Sequence, residues 1–340
     1  MSKFWKSVRG WLPGLVISLV ALALIPIVLK VDLKGLVQAI RAANYWILLI
    51  ALATSWTWLA VRGLVWRTLL RKKATYKQVF FTLCEGYLLN NFLPLRLGEL
   101  GRAYLLGRKA GLPFMEVLSS IVIERVMDVA FTVTVLLIAV PFIVGSSAAF
   151  KVALVVGALV IVGVVVLVLL AHNGEWALGL FDRLTARWPA LQVQGGRFLA
   201  PLFSGLAVLT DGWLFLRAFL WMTLNWIFAV AQFYLMVLAF LPHATLAWAM
   251  FGLGAAAFAG AVPSLPGGIG TYDATLAGAL TLVSHVAGAS LAVALVAHLL
   301  NYVLTGLFGA YALSTEGETL MGVYRQLRRR QAEPENGTDA

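Results

Sequence analysis

The chain has few charged residues, a single cysteine and none of the common catalytic signatures. Charged residues make up 12% of its 340 residues, about half the share of a typical globular domain. With Cys84 as the only cysteine, disulfides within the chain and cysteine metal sites are excluded. P-loop, HExxH and GxSxG motifs are absent, and Gly268-Ile269-Gly270 lacks the third glycine of a dinucleotide fingerprint. We therefore expect neither an enzyme nor an ATP-driven pump, and no cofactor or metal.

The hydrophobic residues, 61% of the chain, form long continuous runs typical of an all-α integral membrane protein. Six runs are long enough to span a bilayer: Trp11–Leu29, Trp46–Trp66, Val117–Ile143, Val152–Ala171, Arg217–Leu241 and Ser290–Leu313. Four are shorter: Tyr76–Leu89, Gly98–Gly107, Ala247–Val262 and Tyr272–Val283. Apolar runs of about 10–14 residues are more often re-entrant or buried segments than full spans.

Basic residues predict the orientation of these segments. The net charge is +11, and in a membrane protein such residues act as topology signals rather than as a nucleic-acid surface. The densest short basic loop, residues 67–77, is predicted to be cytoplasmic, together with the N-terminus. If residues 76–108 and 247–283 each form a hairpin that returns to its own side, Arg108, Lys109 and the C-terminus are cytoplasmic too. Treating the short runs as full spans fits the positive-inside rule less well.

This threading predicts about six full spans plus two oppositely oriented re-entrant helical hairpins, with a possible inverted repeat. Residues 1–315 then form one membrane domain of the plasma membrane, and residues 316–340 a basic and then disordered cytoplasmic tail. The segment 172–216 has apolar residues at helical spacing among charges, which favours a helix in the cytoplasmic headgroup plane. A plain connecting loop is an equal alternative there.

Ionisable side chains within apolar runs are candidate functional residues, because burying them in a membrane is costly. Arg96, Glu99 and Arg102 recur at i, i+3 and i+6 after the tip of the first hairpin, and Glu99 can pair with either arginine across one turn. The remaining positive charge is what a phosphate headgroup would neutralise. The alternative is that these residues only anchor the hairpin at the cytoplasmic interface.

A second charged cluster, Glu124-Arg125-Val126-Met127-Asp128, lies inside a predicted span. Glu124 and Asp128 are one turn apart on one helix face, and Arg125 can reach Asp128 at i+3. The trio is expected to face the protein interior and partners on other helices. A purely structural ion-pair network is a serious alternative to substrate binding.

The stretch Pro263–Asp273 combines two prolines, three glycines and an acid between two short apolar runs. It predicts a broken helix at a polar site, with Gly267, Gly268 and Gly270 needing positive φ or close approach to a ligand. Asp273 follows the turn, and a helix that begins there would favour an anion. An ordinary extramembrane turn is the alternative. His298 and Asn301 form a polar i, i+3 pair that could face the same cavity, although such residues often only link helices.

Three motifs in this order and spacing resemble the transmembrane, flippase-like domain of lysylphosphatidylglycerol synthases and its stand-alone relatives. They are Arg96–Arg102, Glu124–Asp128 and Pro263–Gly270, and the similarity covers roughly residues 10–315. The resemblance implies movement of polar-headed lipids between leaflets. The synthases carry a soluble aminoacyl-transferase domain after the membrane region; this sequence ends at Ala340, so that activity is not implied. The family often has Glu where this chain has Asp273.

We therefore predict a lipid translocator for an anionic or aminoacylated phospholipid or another polar-headed lipid. Arg96, Arg102 and Arg125 would hold the lipid phosphate, while the acids would orient them or bind a cationic headgroup. Membrane lipids are the expected partners, with a possible homo-oligomer or an associated lipid-modifying enzyme. The alternatives are a secondary transporter of a small anionic solute, a membrane-embedded lipid transferase, and a non-transporting partner of such an enzyme.

Overall fold

A computed structural model describes residues 33–93, 97–188, 195, 211–259, 266–317 and 321–326, and all regular structure in these ranges is helical. This confirms an all-α integral membrane protein. The helices are α1 (Leu33–Ala42), α2 (Tyr45–Leu69), α3 (Tyr76–Phe92), α4 (Leu97–Ala110), α5 (Phe114–Val144), α6 (Ser147–His172), α7 (Gly174–Thr185), α8 (Gly212–Phe240), α9 (Leu246–Ala259), α10 (Thr271–Ser284) and α11 (Ala287–Thr315), with a 3₁₀ turn at Pro266–Gly268. Residues 321–326 are also helical.

The predicted spans within the described residues coincide with long helices. By length and composition, α2, α5, α8 and α11 can each cross a membrane. The 26-residue helix α6 covers the predicted span Val152–Ala171. The first predicted span, Trp11–Leu29, lies outside the described residues, and so do Pro94, Arg96 and most of the C-terminal tail. The total number of spans stays a prediction.

The four shorter apolar runs form two helical hairpins. Helix α3 packs on α4, and α9 packs on α10. Helix α3 has 17 residues and the other three have 14 each. At a rise of about 1.5 Å per residue they are roughly 21–26 Å long, shorter than the hydrocarbon core of about 30 Å. Their length suits re-entrant hairpins, and the re-entrant geometry itself stays a prediction.

The packing of the helices supports an inverted repeat. Each half consists of a long helix, a hairpin and a second long helix: α2–α5 in the first half and α8–α11 in the second. The second helix of each hairpin packs on the long helix that follows it: α4 on α5, and α10 on α11. The first helix of each hairpin packs on the second long helix of the other half: α3 on α11, and α9 on α5. The equivalent helices α2 and α8 run antiparallel, since the backbone N–H of Asn44 donates to the Ala239 carbonyl at 2.8 Å and Arg62 bonds to Asn225.

The two hairpin tips also share a short sequence pattern that the sequence analysis missed. Leu93-Pro94-Leu95-Arg96-Leu97-Gly98 in the first half corresponds to Leu265-Pro266-Gly267-Gly268-Ile269-Gly270 in the second. In each half the pattern leads into the second helix of the hairpin, which begins at Leu97 or Thr271. The pattern is too short to detect by overall identity, but its equivalent position in both halves agrees with a repeat.

Two segments between the spans are helical. Helix α1, between the first two predicted spans, was not expected, because a ten-residue amphipathic helix has no long apolar run. It packs on α11 and α8. Helix α7 shows that the start of segment 172–216 is a helix rather than a plain loop. Trp176 and Leu184 of α7 are largely exposed, as expected for a helix in the headgroup plane. The cytoplasmic location of this segment stays a prediction.

Candidate functional site

Glu124 is the centre of an ion-pair network between helices. Its carboxylate, fully buried on α5, accepts from Arg62 Nη2 at 2.6 Å and from Arg102 Nη2 at 2.6 Å. These arginines come from α2 and α4, so Glu124 joins three helices. Arg62 also binds Asp128, one turn further along α5, with Nη1 2.7 Å from Oδ1. As predicted, the acids face the interior and partners on other helices.

Neighbouring side chains hold the two buried arginines in place. Arg62 Nη1 also donates to Asn225 Oδ1 on α8, at 3.3 Å. The Arg102 guanidinium stacks on the buried ring of Trp66, 3.9 Å from its centroid. The Trp66 ring is itself fixed by a 3.0 Å hydrogen bond from Nε1 to Ser120 Oγ. Buried charges with this many partners are tolerable in an apolar bundle.

Arg125 and Glu99 form the accessible edge of the network. Arg125 Nη1 lies 3.0 Å from Asp128 Oδ2, which confirms the predicted i+3 contact. Arg125 Nε lies 3.0 Å from Glu99 Oε1 on α4. The side chain of Arg125 is 32% exposed and that of Glu99 is 24% exposed, against 4% for Arg62 and 2% for Arg102. Arg125 and Glu99 are therefore the more accessible members of the network.

These two residues lie at a groove along the side of α5. The groove has a volume of about 320 Å³. Apart from Glu99 and Arg125, it is lined by apolar side chains: Leu118, Ile121, Val122, Val126 and Val129. It thus combines one charged pair with an apolar wall.

The structure revises one expectation about this cluster. Glu99 pairs with Arg125 rather than with Arg102 one turn away, because Arg102 turns inward to Glu124. In the described part of the network three arginines meet three acids. Arg96, on which the expected excess of positive charge also rests, lies outside the described residues, so that expectation stays a prediction. The third arginine, Arg62, was missed. The signal was present, since Arg62 is a lone charge within the predicted span Trp46–Trp66.

The glycine turn forms a second group of predicted residues. Gly267, Gly268 and Gly270 have φ of 72°, 80° and 88°, which confirms the predicted positive φ. A Cβ atom added at Gly267 would lie 1.5 Å from Tyr302 Oη, so this position also needs glycine for close packing. Asp273 Oδ2 accepts from the Gly270 N–H at 3.1 Å and thereby caps the start of α10.

His298 of α11 closes this turn. Its Nδ1 lies 2.8 Å from Asp273 Oδ1, and its Nε2 lies 3.1 Å from the Gly267 carbonyl oxygen. The rings of Tyr272 and Tyr302 both contact the imidazole, at centroid distances of 4.9 and 4.8 Å. His298 therefore joins Asp273 as expected, whereas Asn301 is exposed and its side chain lies outside this contact.

The predicted site residues thus fall into two groups on different helices. One is the charged network with its groove, and the other is the glycine turn with Asp273 and His298. Arg96 lies outside the described residues, so its predicted role stays a prediction.

Comparison with known proteins identifies the family. Residues 11–309 match the family described as the lysylphosphatidylglycerol synthase TM region. A search of curated proteins and a search of solved structures each found no match. The matched range contains both hairpins, the charged network and the glycine turn, and the family points to a function related to membrane lipids. The chain belongs to the lysylphosphatidylglycerol synthase transmembrane-region family.

Proposed function

We propose that this protein moves a polar-headed phospholipid between the leaflets of the plasma membrane without changing it chemically. The observation that supports this most is the groove beside α5. It offers one accessible ion pair, Arg125 with Glu99, at an otherwise apolar surface. A lipid has the same distribution of chemistry, a charged headgroup joined to apolar chains.

The groove suits a lipid because most of its wall is apolar. Leu118, Val122 and Val126 offer contacts to acyl chains that stay in the bilayer. The headgroup would then lie at Arg125, whose guanidinium can form charge-assisted hydrogen bonds with phosphate. A small soluble solute would make little use of this wall.

The charge balance of the network favours a headgroup with both a phosphate and an amine. The described part of the network, which does not include Arg96, is neutral, and a purely anionic ligand would add an uncompensated charge to that part. A phosphate at Arg125 and an ammonium group at Glu99 would exchange one ion pair for two and keep the site neutral. Zwitterionic and aminoacylated phospholipids therefore fit better than a simple anionic one.

The arginines differ in role on this hypothesis. Arg125 contacts the phosphate. Arg62 and Arg102 are positioning residues, because each already holds Glu124 in a buried contact. This revises the expectation that Arg102 binds the phosphate directly. A homo-oligomer, an associated lipid-modifying enzyme and cytoplasmic termini remain parts of the proposal.

The test is leaflet exchange in reconstituted vesicles, with acyl-chain-labelled phosphatidylethanolamine and phosphatidylglycerol as probes. Arg125→Gln is expected to reduce exchange of phosphatidylethanolamine by roughly tenfold to a hundredfold, because a charge-assisted contact is worth roughly 1.5–3 kcal/mol. Arg217→Gln is the matched control. Arg217 is exposed and lines a second groove of about 320 Å³ whose other residues are apolar. A folded Arg125→Gln variant with wild-type exchange would contradict the proposal.

Filling the groove gives a second test that leaves all charges in place. Val122→Trp should block the groove and reduce exchange of both lipids. Leu224→Trp, in the groove lined by Arg217, should leave exchange unchanged. Uptake of a soluble anion that is lost in Arg125→Gln but unaffected by Val122→Trp would favour the solute transporter instead.

A further inference from the structure

His298 has a hydrogen-bond acceptor at each ring nitrogen. Nε2 faces the Gly267 carbonyl oxygen at 3.1 Å, and a carbonyl oxygen can only accept. Nδ1 faces Asp273 Oδ1 at 2.8 Å. The other carboxylate oxygen, Oδ2, already accepts from the Gly270 N–H. A neutral imidazole carries one N–H and one lone pair. It therefore cannot donate to an ionised Asp273 and to Gly267 at the same time.

Both contacts form only if the pair holds one more proton than a neutral histidine and an ionised aspartate. That proton lies either on Nδ1, giving an imidazolium beside a carboxylate, or on Oδ1, which then donates to Nδ1. The net charge of the pair is zero in both cases. Asp273 is buried and His298 is largely buried, so a pair of zero net charge is also the least costly form there.

We propose that His298 and Asp273 form a proton-binding site that controls the glycine turn. With the proton bound, Nε2–H holds the Gly267 carbonyl and fixes the turn against α11. When the proton leaves, the remaining N–H of the imidazole stays on Nδ1, where it faces the negative carboxylate. Nε2 then presents a lone pair to the Gly267 oxygen, so this contact breaks and the turn is released.

The described residues place the following titratable groups around the pair, and Arg96, which follows α3, lies outside them. Tyr272 of α10 and Tyr302 of α11 contact the imidazole directly. Helix α9 has no titratable side chain. On α3 the nearest acid, Glu85, lies beside the Gly309 level of α11, about three helical turns away. Lys34 of α1 lies near the start of α11, where Gly35 contacts Gly288, and Tyr234 of α8 bonds to the Ala244 carbonyl.

Asp273→Asn keeps the hydrogen-bond geometry of the site but removes the shared proton. The amide group that this substitution introduces can accept from the Gly270 N–H and donate to Nδ1, while Nε2–H still donates to Gly267. The variant should therefore keep the turn fixed against α11 at every pH, without the extra proton. His298→Phe removes both hydrogen bonds but retains an aromatic ring next to the two tyrosines. It should leave the turn released from α11 at every pH.

The first measurement is NMR of protein with isotope-labelled histidine rings, in detergent micelles. The chain has four histidines, and His298→Phe assigns the relevant signal. We expect the His298 signal to change in one step as the pH is raised in the wild type. The step should be absent in Asp273→Asn. A wild-type signal without a step, or the same step in Asp273→Asn, would overturn the proposal.

The second measurement follows the turn itself, through the labelling rate of Ile269→Cys in a Cys84→Ala background. Each rate is divided by the rate in the His298→Phe background at the same pH, which removes the intrinsic pH dependence of the thiol. Loss of one buried hydrogen bond predicts a roughly threefold to tenfold rise of this ratio with pH in the wild type. Asp273→Asn should give a low, constant ratio, and His285→Gln, at an exposed histidine, should behave as the wild type. A constant wild-type ratio would overturn the proposal.

Discussion

Arg62 of α2 and Asp128 of α5 form a two-point contact, with Arg62 Nη1 2.7 Å from Asp128 Oδ1 and Nη2 bonded to Oδ2, although 66 residues separate them. The same guanidinium binds Glu124 and reaches Asn225 on α8. Helices α2 and α8 are the equivalent helices of the two halves. The network therefore lies where the halves meet and contributes to holding them in register.

Removing Arg62 alone should destabilise the protein strongly. Arg62→Met leaves Asp128 and Glu124 short of a buried partner, at an expected cost of about 3–5 kcal/mol. The double variant Arg62→Met with Asp128→Leu removes a charge of each sign and should recover much of this loss. Thermal unfolding in detergent micelles measures both. A double variant less stable than Arg62→Met would show that the contact matters for packing rather than for charge.

The network also shows what removing the α5 charges would do. Replacing Glu124, Arg125 and Asp128 together could have been harmless if they paired only with one another. In the structure that change would leave the buried Arg62 and Arg102 without their acidic partner Glu124. The triple variant should therefore fail to fold, and the separate variants of Arg62 and Arg125 are the informative ones.

Lys109 provides a second prediction, at the end of the first hairpin. Its Nζ lies 2.5 Å from Oε2 of the fully buried Glu85 and 2.7 Å from Oε1 of the partly exposed Glu316. Lys109→Met leaves the Glu85 charge buried without this partner and should cost about 3–5 kcal/mol. Glu316→Gln should cost about 1 kcal/mol or less. Thermal unfolding compares them, and adding Glu85→Gln to Lys109→Met should restore stability; if it does not, Glu85 is not the cause of the loss.

The helices were predictable because each signal lies within one segment of sequence. Hydropathy predicted the ends of the described long helices to within a few residues. Local caps such as Asn44, whose side chain accepts from two N–H groups of the first turn of α2, fix where helices begin. Helix α1 escaped detection because its apolar face alternates with Lys34 and Arg41 instead of forming a run.

The pairing of charges between helices was less predictable. Glu99 and Arg102 are three residues apart, so spacing alone favours a local pair. Burial decides otherwise: Arg102 stacks on Trp66 and reaches Glu124, which leaves Glu99 to Arg125. Such a choice depends on which helices are neighbours, and that information is not local. The positive φ of the glycine turn was predictable, since glycine adopts positive φ without the steric cost of a Cβ atom.

Gly267 should be much less tolerant of alanine than a glycine within α10. An alanine at position 267 would have to adopt the positive φ of the turn, which costs about 1–2 kcal/mol. Its Cβ would also displace the Tyr302 hydroxyl. At Gly278 no atom lies within 4 Å of the added Cβ, and alanine is the better helix former. Gly267→Ala should lower the unfolding temperature, while Gly278→Ala should leave it equal or raise it. Equal unfolding temperatures for the two variants would contradict the argument from turn geometry.

The topology is tested by single cysteines in a Cys84→Ala background, labelled with a membrane-impermeant maleimide on intact cells. Lys72→Cys, Arg187→Cys and Arg325→Cys, all at exposed positions, are expected to be labelled only after permeabilisation, because the positive-inside rule places these basic segments in the cytoplasm. Ser147→Cys, at the start of α6, is the control and should be labelled from outside.

The number of crossings between α8 and residue 325 decides the result. With two re-entrant hairpins, only α8 and α11 cross in the second half, and Arg325 returns to the side of Arg187. If one helix of the second hairpin crosses while its partner does not, that parity changes and Arg325→Cys is labelled without permeabilisation. Such labelling would overturn the re-entrant model of the second hairpin, and with it the inverted orientation of the two halves.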